Sequence, residues 1–436
     1  MKKSTLNLIL LAAAMLAGCA EKAQMPAEAG MGRHPQIPQA RSSMIPTVNV
    51  APARGWGQGA TPTPAPGMQV QAFAMGLAHP RSLLVLPNGD VLVAETDAPE
   101  RAEKNKGLRN WFERRVMQKA GSHRPSPNRI VLLRDADGDG VAETRSVFLS
   151  DLNSPFGMAL IGNQLYIANT DAIVRVSWKS GQLQASEQPV KVAPLPAGDI
   201  NHHWTKDLVA SPDGKHLYVS VGSNSNVAEQ GLAAEEGRAA ILEVNPATGS
   251  SRIFASGLRN ANGLAWNPET GQLWAAVNER DELGSDLVPD YITSVRDGGF
   301  YGWPWSYYGP HVDKRVQPPR PDMVEQALVP DYAVGAHVAA LGMVFNTGRL
   351  FPASMRNGAF VSEHGSWNRD PKSGYKVVFV RFREGRPRGL PHEVLGGFLD
   401  AEENAQGRPV GLALDKQGAL LVADDVGGAV WRVTPK

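Results

Sequence analysis

One local pattern recurs along most of this chain. It consists of an apolar strand led by a small residue, a polar turn, and a second apolar strand that ends in polar residues. Six copies occur, at residues 81–96, 156–171, 207–223, 262–279, 341–363 and 410–425. Each copy predicts a β-hairpin, because apolar runs on both sides of a turn rich in Gly, Pro, Asn or Asp are typical of paired strands.

These hairpins predict an all-β fold, a six-bladed β-propeller with long inter-strand loops and small helical insertions over residues 69–436. A β-sandwich is the main alternative, but it would not explain so many similar hairpins. We expect the last strand, residues 429–433, to pair with the first, residues 70–73, because this pairing closes the ring and removes the open sheet edges. Two stretches interrupt the rhythm. Residues 99–120 are charged and predict a surface helix, and residues 284–335 are expected to cover part of one face.

The N-terminal residues predict export and lipidation. Two lysines, an apolar run and small residues make residues 1–18 a secretory signal peptide, and Leu16-Ala17-Gly18-Cys19 resembles the bacterial lipobox. Cys19 is the only cysteine in the sequence, so no disulfide competes with its lipidation. Ala20 follows it, which by resemblance to other bacterial lipoproteins favours the periplasmic side of the outer membrane. An ordinary signal peptide with a chance cysteine is the alternative.

Composition limits the partners that we expect. Residues 19–68 are rich in Ala, Pro, Gly and Gln and predict a flexible tether. The net charge of +1 gives no reason to expect nucleic acid. No later apolar run is long enough to span a bilayer, so a lipid anchor would be the only membrane contact. A single cysteine excludes Cys–His zinc patterns, and neither a Gly-x-Ser-x-Gly motif nor a Gly-rich phosphate loop occurs.

Titratable residues at the starts of strands predict a site on the propeller axis. His202, His203, Trp204 and Lys206 precede the first strand of the third hairpin, where packing alone does not call for polar residues. Arg259, followed by Asn260, stands at the same place one hairpin later, and Arg408 stands there in the last hairpin. A histidine and two arginines at equivalent positions would converge on the axis, where guanidinium groups suit carboxylates or a developing oxyanion. Such arginines can also simply bind carbonyls at strand ends.

Three further segments contain possible ligands. Residues 278–282, with Asp286 and Asp290 after them, form a carboxylate cluster that suits a hard cation, or else a solvated acidic loop. Residues 135–143 have the alternating carboxylates of a calcium loop but lack the acidic twelfth residue. A tight turn without an ion is therefore as good an interpretation as a weak structural Ca²⁺ site. His364 and Trp367 follow another strand and combine a titratable ring with an aromatic plane.

Several segments in one order resemble the sorbosone dehydrogenase family, whose relatives are the soluble quinoprotein glucose and aldose sugar dehydrogenases. The resemblance runs from about residue 70 to the C-terminus. It is carried by LLRDADGDGVAET, LNSPFGMAL, HHWTKDLVASPDG, VSVGSNSNV, GLRNANGLAW, VNERDELGSDLVPDY, FYGWPWSYYG, HGSWNR, SGYKVVFV and GRPVGLAL. The resemblance implies a six-bladed propeller that holds pyrroloquinoline quinone (PQQ) and Ca²⁺ at its central face. It also implies oxidation of an aldose or sugar aldehyde; the electron acceptor is not indicated.

The resemblance also implies roles for particular residues. His203 would be the general base, and Arg259 would stabilise the quinone oxygen as charge develops. The implied cofactor contacts are Asn260, Asn278, His364, Trp367 and Arg408. The implied metal ligands are the backbone carbonyls of Glu279 and Arg280, with Asp281 and Asp286 from the acidic cluster beside them.

The sequence departs from the family pattern at four points. Ser223 replaces the carboxylate that orients the base, and Val410 replaces a second arginine near Arg408. Glu279-Arg280 replaces the Gly-Pro turn at the ion, and His364 falls near the position of a lysine. Two other functions therefore stay open: a non-catalytic envelope propeller that binds a ligand, and a Ca²⁺-dependent lactonase-type hydrolase.

Overall fold

The computed structural model describes residues 21–41, 47–99, 119–121 and 125–436. The predicted signal peptide, Cys19 and most of the predicted helix at 99–120 lie outside these residues. Among the residues that are described, no helix combines the length and the apolar character needed to cross a membrane.

The described chain is built almost entirely from short strands. In chain order they are β1 Thr63–Pro64, β2 Met68–Ala74, β3 Pro80–Val85, β4 Val91–Glu95, β5 Arg129–Arg134, β6 Thr144–Leu149, β7 Met158–Ile161, β8 Gln164–Ala168, β9 Ala172–Ser177, β10 Val190–Pro194, β11 Leu208–Ala210, β12 Leu217–Val221, β13 Ala240–Val244, β14 Ser251–Ser256, β15 Asn260–Trp266, β16 Leu273–Asn278, β17 Pro289–Ser294, β18 Gly299–Phe300, β19 Ser306–Tyr307, β20 His311–Val312, β21 Tyr332–Ala336, β22 Ala340–Phe345, β23 Gly358–Glu363, β24 Lys376–Arg383, β25 Arg386–Gly396, β26 Pro409–Leu414, β27 Leu420–Asp424 and β28 Ala429–Pro435. One α-helix, α1 (Pro321–Gln326), and three 3-10 helices at Ala27–Gly30, Leu232–Glu235 and Ala353–Met355 complete the described elements.

The strands form the six blades of a β-propeller, which confirms the predicted fold class. In the described residues the blades are β3–β6, β7–β10, β11–β14, β15–β17 with β21, β22–β25, and β26–β28 with β2. The six predicted hairpins are the two innermost strands of each blade. The predicted closure is also confirmed, since β2 pairs antiparallel with β28 from Met68 opposite Pro435 to Ala74 opposite Val430.

Each blade buries side chains against both neighbours, which explains why the inner strands are apolar on both faces. In β4, Leu92 and Ala94 pack toward the second blade, whereas Val91 and Val93 pack toward the last blade. This alternation follows from the period of two along a strand. Each fully buried leucine or valine contributes about 1.5–3 kcal/mol to folding.

The predicted insertion at 284–335 is shorter than expected. Residues 289–294 and 332–336 are the blade strands β17 and β21, so only residues 295–331 are inserted. The inserted β18 extends the preceding blade by pairing parallel with β14. The fully buried Arg280 donates to the main-chain oxygens of Pro304 at 2.7 Å and Ser306 at 2.6 Å. The insertion is thus fixed beside the loop that follows β16.

The segment predicted to be a flexible tether is packed on the propeller in its described parts, 21–41 and 47–68. Gly32 forms a bridge with Ala333, and β1 pairs with the outer strand β25. Ala51 is fully buried, and the Trp56 ring lies edge-on against Trp431 at 5.5 Å. The structure therefore differs from the prediction here. The sequence shows no apolar periodicity because the segment runs extended over a surface and does not form an element with a core-facing side.

Candidate active site

The innermost strands β3, β7, β11, β15, β22 and β26 contact one another in turn and close a ring. Each is the first strand of its blade, so all six begin at the same face of the propeller. We call this the site face, and the opposite face, which carries the turns inside the hairpins, the turn face. The residues that lead into these strands surround the axis at the site face: His79, Ser154, His203, Arg259, His337 and Arg408.

His203 has the geometry of a general base. Its Nδ1 lies 2.8 Å from the main-chain oxygen of Ser223 and 3.0 Å from the Ser223 hydroxyl. A carbonyl oxygen can only accept, so Nδ1 carries the proton and the Nε2 lone pair is left for a substrate proton. Burial, and then the positive charges of His202 and Arg259, lower the pKa of His203 well below its usual value. The neutral imidazole is therefore the form present at neutral pH.

Asn260 packs against His203 because Gly222 between them has no side chain. A Cβ at Gly222 would lie 2.4 Å from Asn260 Oδ1 and 2.5 Å from His203 Cβ. The Asn260 oxygen is buried without a hydrogen-bond partner. Leaving such an atom unpaired costs about 1–3 kcal/mol, so a ligand that donates a hydrogen bond at this point would remove that cost.

Arg259 is a fixed cation next to this pair. It is 4% exposed, and its NH1 donates to the main-chain oxygen of Glu279 at 2.7 Å. Its NH2 donates to Asn226 Oδ1 at 3.0 Å and lies 3.4 Å from Asp281 Oδ2. Its own carbonyl accepts from the Ser223 amide at 2.8 Å. The chain therefore holds both the guanidinium and the residue that orients His203 in one network.

His337 and Asp281 extend this network. Asp281 Oδ1 accepts from Asn368 Nδ2 at 2.7 Å and lies 3.5 Å from His337 Nδ1, while His337 Nε2 donates to Gly284 O at 2.9 Å. Burial works against the charged form of each group, but their mutual attraction outweighs it. The pKa of His337 is raised and that of Asp281 is lowered. Both shifts favour the charged form of the group, as expected for two groups that attract each other.

Arg408 belongs to a second group on the other side of the axis. Its NH2 lies 3.3 Å from Ala51 O and its NH1 lies 3.5 Å from His364 O, both long for hydrogen bonds, and its Nε is buried without a partner. The guanidinium lies over the Tyr375 ring at 4.9 Å. The structure thus places His203, Arg259 and Arg408 at the same face, with Arg408 bonded to a separate set of residues.

His364 lies in a closed network beside Arg408. Its Nε2 donates to Asp425 Oδ2 at 2.9 Å, and Arg81 donates to the same oxygen at 2.5 Å. Burial lowers the pKa of His364 to about 4. Burial alone would raise the pKa of Asp425, but His364 and Arg81 hold it low. The imidazole is neutral and its Nε2–H is occupied, so His364 does not resemble the free base that His203 presents.

Trp367 lines a pocket on the site face. The pocket lies next to the His337–Asp281 pair, and part of its wall comes from the segment before the propeller. Its lining residues are Glu21, Arg41, Thr47, Glu282, Gly284, His337, Trp367 and Asn368. This places Trp367 in the same pocket as His337.

The predicted metal turn after β16 is bonded within the chain. The Glu279 carbonyl accepts from Arg259, and the Glu279 carboxylate lies 3.1 Å from the Arg280 guanidinium. Arg280 itself pairs with Asp313 at 3.2 Å and anchors the insertion. Asn278, predicted as a cofactor contact, donates its amide to Ala340 O instead.

Asp286 and Asp290 also have partners other than a metal. Asp286 Oδ2 accepts from the backbone amides of Gln24 at 2.7 Å and Met25 at 3.3 Å. These hydrogen bonds anchor the N-terminal segment to the loop after β16. Asp290 accepts from the amides of Glu279 and Ala339 at 2.7 Å each, and burial raises its pKa to about 7. Among the described residues, the side-chain carboxylates of Glu279, Asp281 and Asp286 do not form a group within reach of one another.

The loop between β5 and β6 does form such a group. Within the described part of the chain it is the one place where carboxylate oxygens of at least three residues lie within 4.8 Å of one another, from Asp135, Asp137, Asp139 and Glu143. Backbone amides of the loop also donate to them, as Gly138 does to Asp135 at 2.7 Å. Since β5 runs away from the site face, the loop lies at the turn face. It is separate from the candidate active site.

Sequence reasoning missed His79, Arg81, His337 and Asp425. The signal was present, because His79 and His337 precede β3 and β22 as His203 precedes β11. Of the residues noted beside His203, Lys206 is fully buried and donates to Trp204 O at 3.1 Å, and burial lowers its pKa well below the usual value. Its ammonium group therefore supports the loop that leads into β11.

The fold and the site together define a six-bladed β-propeller with a neutral histidine and fixed arginines around the mouth of its axis. Residues 162–363 match the family model described as Glucose / Sorbosone dehydrogenase, and residues 324–436 match one described as TrAA12-like. Residues 162–363 are therefore similar to the glucose/sorbosone dehydrogenase family, which confirms the resemblance seen in the sequence. The matches support a sugar-dehydrogenase-like oxidoreductase.

Individual proteins are similar over most of the chain. The PQQ domain of pyranose dehydrogenase from Coprinopsis cinerea, solved in its holo form, has a TM-score of 0.69 at 20% identity and covers 88% of this chain and 100% of that one. The soluble aldose sugar dehydrogenase of Escherichia coli, solved in its apo form, has a TM-score of 0.57 at 16% identity, with 85% and 100% covered. An uncharacterized protein of Borreliella burgdorferi is 28% identical over 306 residues, which are 67% of this chain and 79% of that protein.

Proposed function

We propose that the chain oxidises an aldose or a sugar aldehyde with PQQ as cofactor and His203 as general base. The observation that carries the proposal is the state of His203. It is neutral, its Nδ1–H is held by the Ser223 carbonyl at 2.8 Å, and a guanidinium is fixed beside it. A base that is already deprotonated at neutral pH and is held in one tautomer suits removal of a hydroxyl proton.

The donor set of the site fits a planar cofactor with several carboxylates. When bound, PQQ would supply the acceptor for hydride. Arg408 would hold a carboxylate, because its Nε has no partner and its other hydrogen bonds are long. The orphaned amide oxygen of Asn260 would accept a hydrogen bond from the cofactor.

The chain's own residues would divide the work as follows. His203 Nε2 would take the hydroxyl proton of the sugar, while Nδ1–H remains hydrogen-bonded to the Ser223 carbonyl. Arg259 would stabilise negative charge that develops opposite the base, because its guanidinium is held in place before the reaction starts. Asp281, 3.4 Å from Arg259, is the opposite charge that helps to hold the guanidinium.

Calcium does not fit the turn after β16 as its residues stand. A cation on the Glu279 carbonyl would face the Arg259 guanidinium, which lies 2.7 Å from the same oxygen, and like charges at such distances repel strongly. We therefore assign no step to calcium. The carboxylates of the β5–β6 loop have the ligand chemistry of a Ca²⁺ site, and an ion there would stiffen the turn face.

We further propose that the protein is a lipoprotein anchored through Cys19 at the periplasmic side of the outer membrane. The Leu-Ala-Gly-Cys motif and the following alanine support this location. The electron acceptor would then have to be reached in that compartment.

The test is a titration of purified protein with PQQ, followed by absorbance, for the wild type and His203→Gln. We expect both to bind PQQ and only the wild type to reduce it when aldoses or sorbosone are added. The glutamine variant is the matched control because it keeps the polarity of the site and removes the base. If neither protein binds PQQ, the chain is a non-catalytic propeller. Hydrolysis of lactones without quinone would instead identify the hydrolase alternative.

A further inference from the structure

The chain segment that precedes the propeller crosses the site face. Three of its backbone amides donate to loops of that face: Ala23 to Asp370 O at 2.8 Å, Arg41 to Leu283 O at 3.0 Å, and Asn49 to Trp367 O at 2.8 Å. These acceptors lie in the loops after β16 and after β23. Both strands run toward the site face, so the N-terminal segment lies on the side of the molecule where the candidate active site opens.

Glu21 is held firmly at this face. Its Oε2 accepts from the Ser285 amide at 2.6 Å, and its main-chain oxygen accepts from the hydroxyls of Ser285 and Thr47 at 3.0 Å each. Its side chain is 19% exposed and lines the pocket that also contains His337. Position 21 is therefore fixed within the rim of the pocket.

The distance from this fixed point to the proposed anchor is short. Cys19 lies two residues before Glu21 in the sequence. Two residues of extended chain span at most about 7 Å. A lipid on Cys19 would therefore leave the protein at the rim of the pocket, whereas a long flexible tether would allow any orientation.

We infer that the site face is the membrane-facing surface of the protein and that the turn face points away from the lipid. The inference rests on the proposed lipidation of Cys19 but not on the proposed chemistry. Inner strands such as β12, with five residues, separate the two faces by roughly 17 Å. The candidate active site would then open onto the interfacial water layer, and an electron acceptor held in the membrane would approach it directly.

Labelling with a single fluorophore tests this orientation. The sequence has no cysteine besides Cys19, which is acylated in a lipoprotein, so one introduced cysteine is the only reactive thiol. Glu402→Cys places the label on an exposed site-face loop between β25 and β26, and Asp213→Cys places it on the exposed turn between β11 and β12 at the turn face. Both proteins are reconstituted, with their lipid, into vesicles that contain nitroxide-labelled lipids.

We expect strong quenching of the label at position 402 and weak quenching at position 213. Equal quenching at both, or stronger quenching at 213, would overturn the orientation. If the full-length protein does not partition into vesicles, the lipid anchor on Cys19 is wrong and the orientation is overturned with it. This result is independent of any outcome with PQQ. Asp286→Ala removes the acceptor of the Gln24 and Met25 amides. This variant should reduce the difference between the two labels, because it loosens the segment without removing the lipid.

Discussion

The two sides of the propeller axis each contain a buried histidine and an arginine, but the hydrogen bonds of these residues differ. On one side His203 binds a carbonyl through Nδ1, and Arg259 stands between it and Asp281. On the other side His364 donates directly to Asp425, which Arg81 also holds. We call them the open side and the closed side. In both, burial keeps the histidine neutral, but only on the open side does its Nε2 remain without a proton.

This difference shows that the residue types alone do not decide which histidine is a base. A carbonyl partner fixes the tautomer without adding charge. The carboxylate of Asp425 instead accepts a hydrogen bond from the Nε2–H of His364, so this nitrogen has no free lone pair. The arginines show the reverse pattern. The buried nitrogen without a hydrogen-bond partner belongs to Arg408, on the closed side, and not to Arg259, on the open side. The open side thus supplies the general base, and the closed side supplies an arginine with one nitrogen still available to a ligand.

The largest expected effect separates the two histidines. His203→Gln should lower kcat by about 10²–10⁴-fold, the usual loss when a general base is removed. His364→Gln keeps a donor to Asp425 and should change kcat by less than about tenfold. Steady-state kinetics on the PQQ-loaded proteins measures both. Equal losses in the two variants would show that the distinction between the sides is wrong.

The two arginines should differ in what their loss affects. Arg408→Gln should weaken PQQ binding by about 10–100-fold, because a charged hydrogen bond contributes about 1.5–3 kcal/mol. Arg259→Gln breaks a buried network and should lower the free energy of unfolding by about 3 kcal/mol or more. Titration with PQQ and urea unfolding of the apo protein measure the two effects. If Arg408→Gln mainly unfolds the protein and leaves PQQ affinity intact, its guanidinium is structural.

The pH dependence sharpens the assignment of the base. A base with an ordinary histidine pKa of about 6.5 would lose about fourfold in kcat/KM between pH 7.5 and 6. Burial and neighbouring positive charges lower the pKa of His203, so the deprotonated form persists to lower pH. We expect kcat/KM to change by less than about twofold over this interval. A full fourfold decline in that range, in protein that stays folded by circular dichroism, would contradict the lowered pKa.

The fold was predictable because its signal is repeated. Each hairpin has the same apolar pattern, and the pairing of 70–73 with 429–433 followed from the need to remove sheet edges. The exceptions were segments whose structure depends on distant partners. Residues 289–294 look like part of an insertion until β16 is known to pair with them. Residues 21–41 have no pattern because their hydrogen bonds go to loops more than 200 residues away, such as 283–286.

The positions of the site residues along the chain were predictable, but their hydrogen-bond and ion-pair partners were not. His203, Arg259 and Arg408 were identified because they stand where innermost strands begin. The sequence did not show that Glu279 and Asp281 bind other side chains, since Arg259 and His337 reach them only in the folded chain. Conversely, the four carboxylates of the β5–β6 loop are close in sequence, so their clustering is a local property that the sequence displayed.

Ser223 gives the smallest expected effect and the finest test of the open side. In the sequence, Ser223 replaces the carboxylate that orients the base in the family pattern. In the structure the main-chain oxygen of Ser223, 2.8 Å from Nδ1, performs this role, and the hydroxyl at 3.0 Å is secondary because it also donates to Ser225 O. Ser223→Ala keeps the carbonyl and should lower kcat by only about threefold, the size of one neutral hydrogen bond. Ser223→Asp should raise the pKa of His203 and move the acid limb of kcat/KM to higher pH, because a carboxylate stabilises the imidazolium. If the alanine variant loses activity as completely as His203→Gln, the hydroxyl and not the backbone orients the base.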